Sequence, residues 1–301
     1  MILVELQKAG IIEPPSWLPL NTHCLVMMGS VAYGVSSDTS DMDIYGFCIP
    51  EKHLVFPHLA GEIPGFGRQI KRFGEWQQHH ISVPDAKKQY DFCVFSIVKY
   101  FHLLMQNNPN VLDSLFVPQN CILHSTHIGN VVRENRRIFL HKGAYHRFLG
   151  FAHSQIAKMG SKNPEEGSKR DQIRQEFGYD TKFGYNLARL ADECDQILSL
   201  GDIDLQRSKE FLKAIRRGDV SEKELREWFA EREKTLEKLY NESTLQHSPD
   251  EGKIKALLLQ CLEHHYGSLD KLGYVAPDAA MIALGEIRSI VEKVLKKNHN
   301  A

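Results

Sequence analysis

The chain of 301 residues has no surplus of either charge: 37 Lys and Arg stand against 38 Asp and Glu, a formal net charge of -1. A chain so balanced has no global attraction to nucleic acid or anionic lipid, so any phosphate binding has to come from a local patch. Paired cysteines are also missing. Cys24, Cys48, Cys93, Cys121, Cys194 and Cys261 lie far apart with no C-x-x-C among them. That spacing argues against a zinc knuckle or a disulfide framework and reads as reduced, buried thiols. No apolar run approaches the roughly 18 residues that a membrane helix needs. The stretch from Met1 to Trp17 has no basic leader followed by a long apolar segment, so a cytoplasmic protein with no membrane partner is expected. There is no internal repeat, no P-loop and no nucleophile elbow, which removes the usual signatures of P-loop nucleotide hydrolysis and α/β-hydrolase chemistry.

What remains is an ordinary globular composition, 42% hydrophobic and 25% charged, long enough for roughly two domains of about 150 residues. The chain changes character near residue 120. Before it, short apolar runs alternate with Gly, Pro, Asp and Ser clusters, the pattern of strands and turns: His23 to Met28, Asp41 to Ile49, and Lys88 to Phe95. A helix follows with Ile97, Val98, Phe101, Leu104 and Met105 at helical spacing, ending before Asn107-Asn108-Pro109. After residue 130 the periodicity is helical. Tyr145 to Met159 and Phe183 to Leu198 carry apolar stripes, and Ser221 with Glu224 forms a capping box that opens a further helix. Residues 160–172, rich in Gly, Ser and charge, are expected to form a mobile loop. An α/β unit over 1–125 and a helical unit over 126–301 are the expected organisation.

The most informative segment runs from Met28 to Gly46. Gly29-Ser30 end one apolar strand, ten residues intervene, and Asp41-Met42-Asp43 open the next. Strand geometry puts Asp41 and Asp43 on one face, with Met42 and Ile44 on the other. Two carboxylates side by side on a rigid strand repel unless a cation sits between them. Hard oxygen donors of this kind suit magnesium, whose other ligands are waters and substrate phosphates. Gly29 permits close backbone approach and Ser30 adds a hydroxyl, together a candidate phosphate cradle. An isolated D-x-D is usually a solvated strand start; its combination with Gly-Ser at this spacing is much rarer.

Two further groups carry charge. Lys182, Asn186, Arg189 and Glu193 fall at helical spacing, a polar stripe opposite Phe183, Leu187 and Leu190. The stripe is either a solvated surface or, through Lys182 and Arg189, a grip on a triphosphate or acceptor. Arg133, Arg136, Arg137, Lys142, His146 and Arg147 are interleaved with Phe139, Tyr145 and Phe148. That arrangement suits either an RNA-facing patch or ordinary packing, and the regular apolar spacing favours packing. His79-His80 and His264-His265 are adjacent pairs without the i, i+4 spacing of a helical metal pair, and read as structural or solvent-facing.

The pattern G-S-x(10)-D-x-D between two apolar strands resembles the signature of the DNA polymerase beta nucleotidyltransferase superfamily. Gly29-Ser30, Ala32-Tyr33-Gly34, the run from Ser40 to Pro50, and the run from Asn107 to Phe116 are similar in particular to its RlaP-like branch. The strict motif spans fewer than 20 residues, and a looser resemblance extends to about residue 240, including Tyr179 to Leu190. The resemblance implies a mixed sheet with flanking helices followed by a helical half, an α+β fold. It also implies two magnesium ions, with manganese as a substitute, and a nucleoside triphosphate such as ATP whose α-phosphate is attacked. Asp41 and Asp43 match the family's metal-ligand pair, and Gly29 and Ser30 its phosphate-binding turn. A third carboxylate is implied from a later strand: Asp91 is the candidate ligand and general base, Asp85 the alternative, beside Pro84 in a turn. RNA or tRNA ends, a protein hydroxyl or a small molecule would all fit as acceptor. Other readings are a catalytically silent nucleotide- or RNA-binding relative, against which the intact Asp41 and Asp43 count, and an unrelated α/β hydrolase or scaffold.

Overall fold

A computed structural model describes residues 1–36, 41–69, 71–82, 89–161 and 167–271, with isolated positions near the C-terminus. Asp85 lies outside the described residues. Five strands form one mixed sheet in the order β3-β4-β2-β1-β5, with β1 (Thr22–Met27), β2 (Met42–Cys48), β3 (Glu75–Ser82), β4 (Gln89–Ser96) and β5 (Ile122–Ser125). β2 and β4 run parallel; every other pairing is antiparallel.

Both faces of the sheet are covered, so the central strands read as near-continuous apolar runs instead of alternating ones. One face carries Leu25, Ile44, Phe92 and Val94, packed with Leu3 and Leu6 of α1 (Ile2–Lys8) and with Ile12 and Leu18. The opposite face carries Cys24, Val26, Phe47, Cys93 and Phe95, which join the core of the helical half. β5 ends at Ser125, where the sequence changes character, and buried apolar residues continue without a break from Val26 through Leu187 to Leu262. All six cysteines are free and buried.

Helices pack around the sheet in chain order. α2 (Lys52–Val55) is a single turn; α3 (Ile97–Met105) follows β4 directly and α4 (Pro109–Phe116) follows α3. Ser96 and Asn108 cap α3 and α4 with their side chains, and Pro109 takes the first turn of α4, where no amide is needed. α5 (His127–Glu134) and α6 (Ala144–Ser161) lead into α7 (Lys169–Phe177) and the long α8 (Thr181–Leu200), closed by Gly201 in the left-handed conformation. α9 (Lys209–Arg217), α10 (Glu222–Glu242) and α11 (Glu251–Tyr266) complete the half. α6, α9 and α10 all pack on α8, which is therefore buried on nearly every side. Both halves of the Ser221–Glu224 capping box are made.

Residues 160–172 are not one loop. α6 extends through Ser161, and α7 begins at Lys169. The Ser168 hydroxyl accepts from the Asp171 amide at 3.2 Å, and the Asp171 carboxylate accepts from the Gly167 amide at 3.0 Å. This Ser-x-x-Asp cap starts a helix inside a stretch whose composition favours a loop. No helix among the described residues is long and apolar enough to cross a membrane.

Candidate active site

The site lies at the end of the sheet where β1 finishes and the parallel pair begins. Along β2 one face runs Asp43, Tyr45, Phe47, from charge to core; along β4 the matching face runs Asp91, Cys93, Phe95. Parallel register pairs them in that order, Asp43 with Asp91, Tyr45 with Cys93 and Phe47 with Phe95. Two strands that each place one carboxylate at the same end thus bring the acids side by side. Asp41 stands exposed just ahead of β2. Burial first, then the Asp91 and Asp41 charges, push the Asp43 carboxyl above the usual carboxylate range; Lys182 and His79 pull the other way.

β1 delivers the turn. The Met28 amide donates to the Asp43 carbonyl at 2.7 Å, and Gly29 then turns with φ +62°. A Cβ at Gly29 would stand 2.3 Å from Asp43 Oδ2. Only glycine fits, both because the conformation is left-handed and because a carboxylate oxygen occupies the space. Residues 29–34 form tight turns, with Tyr33 donating its amide to the Gly29 carbonyl and Val35 to that of Ser30. The turn is also held from the helical half: the Gln206 side chain donates to the Ala32 carbonyl at 3.1 Å, and Arg216 to the Val35 carbonyl at 2.8 Å.

A cavity of about 610 Å³ opens above these groups. Gly29, Ser30, Asp41, Asp43, Asp91, Lys182 and Arg189 all line it, so the structure brings together the described residues expected to hold metal and nucleotide. Arg170 of α7, Tyr185 of α8 and Arg216 of α9 line it too. Lys182 is exposed in the first turn of α8, where Asp180 caps the helix by accepting from the Lys182 amide at 2.9 Å.

Arg189 departs from the sequence picture of a solvent-facing stripe. It is buried together with Glu193 of the same stripe. Its Nη1 donates to Tyr33 Oη at 2.9 Å, to Asp113 Oδ2, and to both Glu193 oxygens at 3.2 Å. Those partners come from the Gly29 turn and from α4, 156 and 76 residues away in sequence, so helical periodicity in α8 gives no hint of them. Asn186 is half-buried and Lys182 alone of the stripe is exposed.

Asp91 has partners that sequence reading misses. β3 bulges between Gln78 and Ile81, with His80 at φ +56°. The bulge aims the His80 amide at Asp91 Oδ1, 2.6 Å away, and sets His79 Nδ1 3.7 Å from the same oxygen. A bulge re-aims groups at a site in this way, and adjacent histidines in sequence carry no signal of it. Part of the second basic concentration packs: Arg133 donates to the Ser114 and Val117 carbonyls and Lys142 is buried over the Tyr240 ring, while Arg137, paired with Asp202, His146 and Arg147 are exposed.

Among the described residues, no three His, Cys, Asp or Glu side chains converge closely enough to hold a metal ion by themselves. The three carboxylates form an open set, and their chemistry fits a hard divalent cation whose remaining ligands are phosphate oxygens and water. The unfavourable proximity of Asp43 to Asp91 and Asp41 is the kind of strain that such a cation relieves. No curated protein shows a significant match to the chain. The model of the RNA repair pathway DNA polymerase beta family, RlaP, matches residues 20–264, and the chain belongs to that family, a branch of the DNA polymerase beta-like nucleotidyltransferases.

Proposed function

We propose that the chain is a magnesium-dependent nucleotidyltransferase that moves a nucleoside monophosphate from a nucleoside triphosphate to an acceptor hydroxyl. The observation that carries this reading is the in-register pair Asp43–Asp91 on parallel strands, beside the Gly29–Ser30 turn in one cavity. Asp41, Asp43 and Asp91 are the donors for magnesium, with manganese as a substitute of the same ligand preference. When bound, the cation neutralises charge on the transferring phosphoryl group.

The chain's own groups account for the rest. Gly29 lets the turn close against the Asp43 carboxylate, and the Ser30 hydroxyl beside it donates to a phosphate. Lys182 supplies a point charge for the triphosphate. The acceptor hydroxyl loses its proton to Asp91, whose Oδ1 is already held by the His80 amide, so Oδ2 is the proton-accepting atom. A bond forms from the acceptor oxygen to the α-phosphorus, the bond from that phosphorus to the β-bridging oxygen breaks, and pyrophosphate leaves. The family's description, an RNA repair pathway, makes an RNA end the first acceptor to test. Incubation with each of four α-labelled nucleotides, magnesium and total RNA or protein should label one fraction with one nucleotide preferred. No labelled fraction with any nucleotide would contradict the proposal.

A further inference from the structure

Arg189 borders the cavity, yet its Nη1 is fully engaged by protein groups. Four side chains meet there: Tyr33 from the turn that begins at Gly29, Asp113 from α4, and Arg189 and Glu193 from α8. Each is at least 93% buried, Asp113 completely so. The Tyr33 hydroxyl donates to Asp113 Oδ2 at 2.6 Å, Arg189 donates to both, and the guanidinium lies 4.8 Å above the Tyr33 ring. One guanidinium faces two buried carboxylates, and burial pushes the Glu193 carboxyl well up. The Nη1 side of the guanidinium is therefore closed by a buried charge network that ties α8 to the turn and to α4, while Nε has no hydrogen-bond partner.

We infer that Tyr33, Asp113 and Arg189 form a brace that positions the Gly29–Ser30 turn against Asp43, so that Arg189 acts on the nucleotide through Tyr33. This rests on the proposed transfer reaction. Gly29 sits at a left-handed φ with a carboxylate oxygen where its Cβ would be, and the backbone from Gly29 to Val35 is held by its own turn hydrogen bonds and, at its far end, by Gln206 and Arg216 on the Ala32 and Val35 carbonyls. Tyr33 is the side chain of that turn that reaches the charge network. A displacement of about 1 Å at a reacting group costs up to about a hundredfold in rate, so the brace should show in turnover before it shows in affinity.

Tyr33→Phe tests this, since it removes one hydroxyl and leaves the ring and the Arg189–Asp113 pair. The expected result, well below the melting temperature, is a fall in kcat of about tenfold or more, with KM for the triphosphate changed less than about threefold. Amide hydrogen exchange over Gly29 to Val35 should accelerate while exchange elsewhere stays as in the wild type. Arg189→Lys, which keeps the charge but loses the planar fork, should show the same split more strongly. Wild-type kcat and exchange in Tyr33→Phe would overturn the brace, as would a KM effect with unchanged kcat, which would make the hydroxyl a substrate contact. A wild-type chain that transfers no nucleotide would overturn the functional reading instead; exchange in Tyr33→Phe then decides on the brace alone.

Discussion

The molecule holds two acidic clusters about one cavity and treats them oppositely. Asp41, Asp43 and Asp91 stand at the open end of the sheet, lining the cavity, where the exposed Lys182 and His79 oppose the Asp43 charge. Asp113 and Glu193 lie within the core, closed over Arg189. The first cluster is left with an electrostatic deficit that an external cation would fill; the second closes on a cation of the chain itself and works as structure. Carboxylate chemistry alone does not separate them. What does is whether a strand end or a helix side presents the acid.

The widest separation expected between the clusters is in activity. Asp43→Asn should lower transfer by orders of magnitude, because a cation donor is gone. Its melting temperature should stay equal to that of the wild type or rise, since the substitution removes a charge that burial, Asp91 and Asp41 disfavour. Steady-state kinetics with a thermal melt reads both. A destabilised Asp43→Asn with normal turnover would merge the two clusters into one structural kind.

In the buried cluster stability falls first. Arg189→Ala leaves Asp113 and Glu193 facing each other with no cation, and Asp113→Ala leaves Arg189 with Glu193 alone. Breaking a buried pair in this way costs about 3–5 kcal/mol, measurable by urea unfolding. Stability near that of the wild type in Arg189→Ala would mean that the charges are not closed upon each other.

How much of this was legible in the sequence follows the same division. The open cluster was readable, because strand alternation, the Gly29-Ser30 turn and the Asp41-x-Asp43 spacing are all local. Even Asp91 was readable as an acid among apolar neighbours, although its register with Asp43 was not. The positions of β1, β2 and β4 and of α3, α6, α8 and α10 followed from periodicity for the same reason, whereas the half-exposed β3 and the short β5 did not stand out. The buried cluster was not readable: Arg189 meets Tyr33 and Asp113 only after the chain folds back across the sheet, and a helix buried on nearly every side has little solvent face to find. The β3 bulge at His79–His80 escaped because a bulge is a property of the strand pair. The α7 cap at Ser168–Asp171 was present in the sequence but obscured by the composition around it.

A third titratable site extends the contrast to pH. His23 lies in the core, 3.1 Å from His265 and 2.9 Å from Thr126 Oγ1. Burial first, then His265 and His124, lower its pKa from 6.5 to about 4. Between those values the unfolded chain binds the proton and the folded chain does not, so stability falls as pH falls through that window. Moving from about pH 7 to about pH 5 should remove about 2 kcal/mol through this residue. In His23→Asn that part of the slope should vanish; an unchanged slope would place the acid sensitivity elsewhere.

Smallest is the effect at the exposed end of the α8 stripe. Lys182→Ala should weaken triphosphate binding about tenfold, since a charge-assisted contact to phosphate contributes roughly 1.5–3 kcal/mol. The melting temperature should not move, because the side chain is exposed. Set beside Arg189→Ala, it sharpens the contrast between two cations seven residues apart on one helix. Calorimetric titration with magnesium present checks it, and unchanged affinity would remove Lys182 from the site.

The most direct test of the central claim follows two labels through one reaction. The wild-type chain is given its preferred nucleoside triphosphate, labelled in parallel at the α- or the γ-phosphate, with magnesium and the acceptor fraction. Attack at the α-phosphorus beside Asp43 and Asp91 puts the α-label on the acceptor and releases the γ-label as pyrophosphate, and chelation of magnesium abolishes both. A γ-label on the acceptor, release of the γ-label as free phosphate, or transfer indifferent to chelator would contradict the account.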